Sequence, residues 1–261
     1  MQRLSKQIIY GLFFLIILVL IGGAIFYFIW PKASCTDNKL NQDEERVDCG
    51  GGCIPCSLKN PESLTISSVE VFDNSNNNTN NTVTILGEIK NPNQLLGSPS
   101  FFYTVNLFDK VGKNIFSKTR ETFIYPGKNR TIIEAKINIP SSDVDRAEIV
   151  IDDIDNWQEE EKFNGIPEKN IAVDDIAIKG NIDDLYFQGK LINNNSFKIN
   201  KIIIKAVLYN KNNLREAASF TVLENLDAFK SADFAIQIPV KNEVRSRIDP
   251  DKTKIIVEIG R

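Results

Sequence analysis

Residues 8–30 read IIYGLFFLIILVLIGGAIFYFIW, twenty-three consecutive positions without a charged side chain. Wound as a helix, such a run spans about 35 Å at roughly 1.5 Å per residue. That length covers a hydrocarbon core of about 30 Å with room for tilt. Tyr27 and Trp30 fall where an interfacial aromatic belt sits, and Pro31 is placed to end the helix. A cleaved signal peptide has a shorter apolar region and closes on a small-residue A-x-A site. This run closes on Phe, Ile and Trp, so a retained single-pass anchor is expected. Acylation at Cys35 fits poorly, because Lys32 stands where a lipoprotein signal needs an apolar residue. Gly22-Gly23 would let another helix approach closely, although a tolerated glycine pair explains them as well. Arg3 and Lys6 precede the run; Lys32 and then Asp37 follow it. The rule that positive flanks stay in the cytoplasm predicts a cytoplasmic tail at 1–7, a transmembrane helix at 8–30, and the bulk outside the cytoplasmic membrane.

The remaining chain is long enough for two ordinary domains. A net charge of −3 supplies no broad basic surface, so no nucleic-acid partner is expected. Histidine is absent, which removes the commonest general base and the commonest metal ligand.

All four cysteines lie in SCTDNKLNQDEERVDCGGGCIPCS, residues 34–57, within a small segment bounded at 31–60. Their spacing is Cys35-x13-Cys49-x3-Cys53-x2-Cys56. Four thiolates can hold a tetrahedral zinc, but such sites usually show two separated close pairs. In an oxidising compartment the same four residues make two disulfides, by any of three pairings among which the sequence does not choose. Disulfides agree with the outside orientation and are the expected state. A staple is needed here: Leu40 and Val47 are the only aliphatic side chains in 36–48, too few to offset chain entropy. Closing a loop of about 14 residues contributes on the order of 3 kcal/mol. Gly50-Gly51-Gly52 permits the tight backbone that three neighbouring cysteines demand. Asp37, Asn41, Asp43 and Asp48, with Glu44 and Glu45, offer hard oxygens suited to calcium. Lys39 and Gln42 break the EF-hand pattern, and a solvated acidic face is the simpler expectation. No cofactor is required, calcium being the one candidate.

The string CTDNKLNQDEERVDCGGGCIPC resembles a short cysteine motif of bacterial cell-surface proteins: C-x-D, then N, a D/E cluster, and D-C-G-G-x-C-x-x-C. Relatives carry a glycine near the position of Asn38 and another after that of Asn41; this chain has neither. The resemblance implies a surface context and no activity.

From residue 61 onward, apolar and polar residues alternate with period two between Asn/Gly/Pro clusters, which predicts strands throughout. The pattern also repeats. TVTILGEIKNPN (82–93) matches DLYFQGKLINNN (184–195), pairing Gly87 with Gly189 and Asn91 with Asn193. FYTVNLFDKVGK (102–113) matches IIIKAVLYNKNN (202–213), and EAKINIP (134–140) matches DFAIQIP (233–239). The paired glycines mark a bulge or a close sheet approach. Each copy holds six or seven short strands in some 90 residues, and a half-buried strand needs a second sheet over its apolar face. The expected fold is mainly β, with two tandem sandwiches at 61–155 and 170–261. Between them the polar stretch 156–169, with Pro167 and Glu159-Glu160-Glu161, reads as a linker.

Leu107-Phe108-Asp109 in the first copy and Leu208-Tyr209-Asn210 in the second resemble the signature of the FxLYD family of immunoglobulin-like bacterial domains. The second copy has Asn in place of the motif's Asp. The resemblance implies extracytoplasmic immunoglobulin-like sandwiches, often tethered by an N-terminal helix, and carries no catalytic residues.

Without histidine, no Ser-His-Asp or Cys-His arrangement exists. The acidic pairs Asp152-Asp153, Asp174-Asp175 and Asp183-Asp184 flank predicted strands and read as turn or edge residues. Lys201, Lys205 and Lys211 read as a solvent-facing row. The expectation is a non-enzymatic, membrane-anchored protein of the cell envelope, binding or scaffolding an envelope protein partner, or mediating adhesion, through loops at 73–81, 92–100 and 193–200 and through free strand edges. Alternatives are an accessory subunit of a secretion or pilus apparatus and a metal-dependent surface sensor.

Overall fold

The structure, a computed structural model, describes residues 2–29, 34–41, 43–74, 81–163, 167–180 and 185–260. The chain divides into two compact units, Met1–Lys59 and Asn60–Arg261.

In the first unit, helix α1 (Gln2–Ile29) begins at Gln2 rather than at the start of the uncharged run. Gln, Arg, Leu and Lys are good helix formers, so the helix propagates through the charged flank. Its stretch Gln7–Tyr27 is long and apolar enough to cross a membrane. Phe14, Leu18 and Tyr27 are more than 60% exposed, as a lipid-facing surface requires. Trp30, Pro31 and Lys32 lie outside the described residues. The cysteine segment follows and ends in the single-turn helix α2 (Cys56–Lys59).

The second unit is built from β1 (Thr65–Asp73), β2 (Val83–Lys90), β3 (Leu96–Phe108), β4 (Asn114–Ile124), β5 (Asn129–Ile137), β6 (Arg146–Ile151), the two-residue β7 (Gln158–Glu159), β8 (Ile171–Gly180), β9 (Leu185–Asn193), β10 (Ile199–Asn210), β11 (Arg215–Leu226), β12 (Ser231–Ile238), the short helix α3 (Asn242–Arg245) and β13 (Ile248–Ile259). β1-β2-β5 and β4-β3-β6 are antiparallel sheets that face each other. Alternate residues meet between them: Val83, Ile85 and Ile89 from β2 against Val105 and Leu107 from β3, with Ile132 and Ile149. β8-β9-β12 and β11-β10-β13 form a second sandwich around Phe187, Leu191, Ile202, Ile204, Leu208 and Ile236. Strand order in the two sandwiches is the same, with β1 standing to the first as β8 does to the second.

Two matched details anchor that likeness. Asn91, at the end of β2, donates from Nδ2 to Leu96 O (2.7 Å) and Tyr125 O (3.0 Å). Asn193, at the end of β9, donates to Phe197 O (3.0 Å), Leu226 O (3.3 Å) and Asp227 O (3.1 Å). In both, Oδ1 accepts from the backbone N–H and side-chain amide of the asparagine two residues on, Asn93 or Asn195. Each asparagine thus ties together chain segments at one end of its sandwich through their carbonyls. The paired glycines share a role as well. A Cβ on Gly87 would lie 2.1 Å from Ile149 Cδ1, and one on Gly189 would lie 2.9 Å from Phe234 Cζ. Both give way to a large side chain, and the irregularity in each case falls on the partner strand, near Ser68 and near Asp175.

The two sandwiches do not hang apart on a free linker. The outer face of β1-β2-β5 packs on the outer face of β11-β10-β13, with Leu86 and Ile133 meeting Val207 and Ala218, flanked by Phe72, Ala135, Tyr209 and Phe220. The four sheets therefore stack as layers. The polar stretch between the sandwiches is held too: β7 pairs with Leu96 and Gly97, and Phe163 is buried against Tyr125. Glu168 accepts from Tyr125 Oη (2.9 Å) and from the Ile259 N–H (3.0 Å). Residues 164–166 lie outside the described residues. One glutamate and one phenylalanine thus fix a stretch whose composition reads as tether.

Candidate functional site

Cys35 is bonded to Cys53, and Cys49 to Cys56. Between these crosslinks the chain folds through left-handed backbone at Asn38, Asp43, Asp48, Gly50 and Gly51. At Gly50 (φ 83°) a Cβ would sit 2.7 Å from the Glu45 side chain, so glycine is needed there on two counts. Carboxylates complete the staple. Glu44 Oε2 accepts from the N–H groups of Asn41 (3.2 Å) and Asp48 (3.1 Å), and Asp48 Oδ1 from that of Asn38 (2.9 Å). Lys59 Nζ reaches Val47 O at 2.9 Å and Asp48 Oδ2 at 3.4 Å. The Asn41 amide, with the Lys39 and Ser34 N–H groups, holds the Asp37 carboxyl below the usual carboxylate range. Of the calcium candidates, Asp37 and Asn41 meet at 2.9 Å, Asp48 is buried nearby in the loop, and Asp43 is exposed. The Asn41 Oδ1 atom is buried without a donor. Cys35 Sγ, Cys53 Sγ and a Glu44 oxygen cluster within 4.8 Å, but both sulfurs belong to one disulfide, so no thiolate is offered to zinc.

The residues that carry the FxLYD resemblance turn out to organise two hairpins. Leu107 and Leu208 are fully buried in their cores. Asp109 Oδ1 accepts from the N–H groups of Val111 (3.0 Å) and Lys113 (2.8 Å). Asn210 Oδ1 accepts from those of Asn212 (2.8 Å) and Leu214 (3.1 Å). The turn uses an acceptor oxygen and not a charge, which explains why Asn substitutes for Asp. Phe108 and Tyr209 point to the outer face in both copies, with different fates. Phe108 lies under the Arg146 guanidinium at 4.3 Å, whereas Tyr209 packs into the contact between sandwiches.

That contact holds buried charged groups, among them Lys205, which was expected on a solvent-facing row. Lys205 is not on a solvent row: it is 6% exposed, donates to Thr131 O (2.5 Å) and pairs with Glu258. Lys201 and Lys211 are exposed. Arg130, 7% exposed, stacks on Phe123 at 4.0 Å, donates to Thr122 Oγ1 (3.0 Å) and pairs with Glu258 (3.0 Å). Buried Glu134 pairs with Lys118 (3.0 Å) and Arg120. Burial pulls the Lys205 ammonium down to about 8, against the favourable field of Glu258. The signal for this surface was the string IIIKAVLY, which is apolar on both faces where a half-buried strand alternates. At the rim Arg215 joins Glu70 and Glu88, each at 2.8 Å.

Of the proposed contact loops, 75–80 lie outside the described residues. The 92–100 and 193–200 stretches are shorter as loops than expected, because β3 starts at Leu96 and β10 at Ile199. Leu95, Phe197 and Phe229 are at least half exposed at such loop tips. Asp152-Asp153 are exposed just beyond β6; Asp174-Asp175 are exposed not in a turn but within the edge strand β8, at its irregularity; and Asp183-Asp184 lie outside the described residues.

Neither a protein-family model nor a curated protein matches the chain. Among solved structures, 65% of the chain aligns with 21% of a β-glucuronidase from glycoside hydrolase family 2, at 9% identity and a TM-score of 0.24. A family 2 glycosyl hydrolase from Bacteroides cellulosilyticus aligns over 62% of this chain and 22% of its own, at 10% identity and a TM-score of 0.22. The chain thus spans about a fifth of the length of either enzyme.

Proposed function

We propose that this is a single-pass, membrane-anchored, non-enzymatic protein of the cell envelope, which holds a protein partner or mediates adhesion outside the cytoplasmic membrane. The observation that carries the reading is the order of features: an exposed apolar helix long enough to cross a membrane, followed at once by two disulfides. Disulfides persist where the compartment is oxidising. The stacked sandwiches then form one stiff arm, immunoglobulin-like by the resemblance of their motifs, that presents loops and edge strands to a partner. Cross-linking in cells followed by mass spectrometry of the adducts tests this. Envelope or secreted proteins captured through the Asn60–Arg261 unit are expected; capture of cytosolic proteins alone contradicts it.

A second reading, calcium held by the stapled loop, rests on the buried, donorless Asn41 Oδ1 beside Asp37. Calorimetric titration of the full chain with calcium decides it: heat with one-site stoichiometry supports a structural ion, and none leaves a plain staple.

A further inference from the structure

Between the two sandwiches lies a cavity of about 230 Å³ whose lining includes Tyr103, Arg120, Thr122, Arg130, Lys201 and Lys205. We propose that this cavity is a binding site for a small oxyanion, a phosphate, sulfate or carboxylate group, held jointly by both sandwiches.

The first ground is charge. The lining carries four cations, Arg120, Arg130, Lys201 and Lys205, against two carboxylates, Glu121 and Glu134. Glu121 is turned to the Ser100 hydroxyl, and Glu134 is shared between Arg120 and Lys118. Glu258, behind the cavity, is likewise shared between two cations, Arg130 and Lys205. Each buried carboxylate therefore answers for two positive groups. Buried Arg130 and Lys205 are balanced by buried Glu134 and Glu258, so the excess of positive charge along the lining sits on the more open Arg120 and Lys201, where a bound anion would answer it. Among the other acidic groups near Arg130, Glu168 is engaged by Tyr125 and the Ile259 N–H.

The second ground is donor geometry. Lys205 directs two of its three N–H groups at Thr131 O and Glu258, which leaves one. Arg130 uses Nε on Thr122 and Nη2 on Glu258, and Arg120 uses Nε and Nη2 on Glu134. The Thr122 hydroxyl accepts from Arg130 and so has its proton to give. Tyr103 stays protonated, since burial and then the Glu134 charge push its phenol well above the usual range. Donor-bearing side chains from β3, β4 and β5 of one sandwich and β10 of the other line a volume large enough for a group of phosphate size, which charge-assisted bonds would hold. Because Lys205 and Lys201 belong to one sandwich and the rest to the other, occupancy would stiffen their junction.

The test is thermal unfolding and calorimetry of the full chain in detergent, titrated with sodium phosphate and with sodium sulfate against chloride at matched ionic strength. Glycerol 3-phosphate in one arm and phosphatidate vesicles in another separate a free anion from a lipid headgroup. Saturable, one-site stabilisation by an oxyanion is expected. Arg120→Gln, whose side chain is 44% exposed and which should fold, is expected to weaken the apparent affinity roughly tenfold or more. Glu134→Gln removes the competing carboxylate and is expected to tighten it, a change of opposite sign that loss of structure does not mimic. Equal responses to oxyanion and chloride in the wild type, or affinities that neither substitution moves, would overturn the proposal.

Discussion

Replacing Asn193 by Ala isolates the tie that organises one end of the second sandwich. Asn193 is fully buried, and the substitution deletes three bonds to carbonyls and two from Asn195. At about 0.5–1 kcal/mol net per bond, the loss comes to about 3–4 kcal/mol. For a urea slope of roughly 2–3 kcal/mol/M, the midpoint falls by about 1–2 M. Half-buried Trp157 reports the transition by fluorescence. Asn91→Ala deletes four such bonds in the first sandwich and is expected to cost slightly less. Asn194, the exposed neighbour, is the control, and its replacement by Ala stays within about 0.5 kcal/mol. If Asn193→Ala costs no more than Asn194→Ala, the paired asparagines are not structural ties.

Three further outcomes are expected. Ala218, 1% exposed between the sandwiches, becomes a buried charge in Ala218→Glu; limited trypsinolysis at Lys162 and Lys169 should then accelerate, and unchanged cleavage would mean the sandwiches are not locked together. The Lys205 ammonium sits at about 8 in the fold against 10.5 ordinarily; the unfolded chain therefore binds more protons across that window, and this group's contribution raises stability as pH climbs from about 8 to 10.5. That rise should be absent in Lys205→Met and so appear in the wild-type-minus-variant difference curve, and parallel wild-type and variant curves would contradict the burial argument. Gly87→Ala drives a methyl into Ile149 and should cost about 1–3 kcal/mol by chemical denaturation, whereas a neutral result would show that the sheets part freely there.

Much of the strand layout was legible because burial on one face writes a period-two pattern, and the repeat of Gly87 with Gly189 and of Asn91 with Asn193 located equivalent strands before any geometry was known. The long apolar helix was legible from length and charge alone. The stacking of the sandwiches was not read, although IIIKAVLY carried it: Lys205 masked the doubly apolar strand, because a lysine is ordinarily taken as a mark of solvent. Disulfide pairing could not be read either, since three neighbouring cysteines leave pairing to backbone turns that only the left-handed Asp48, Gly50 and Gly51 define. Nor could the stretch 156–169 be told from a tether, because its anchoring comes from partners remote in sequence, Phe163 on Tyr125 and Glu168 on Tyr125 and Ile259.

The account stands or falls on where the four sulfurs reside. Membranes isolated from cells quenched in acid, then treated with a maleimide of high mass under denaturing conditions, give a direct count of free thiols. The expected result is an anchored chain with no adducts before reduction and four after it. A chain found soluble, with four adducts before any reductant is added, would contradict the membrane anchor and the oxidising compartment together.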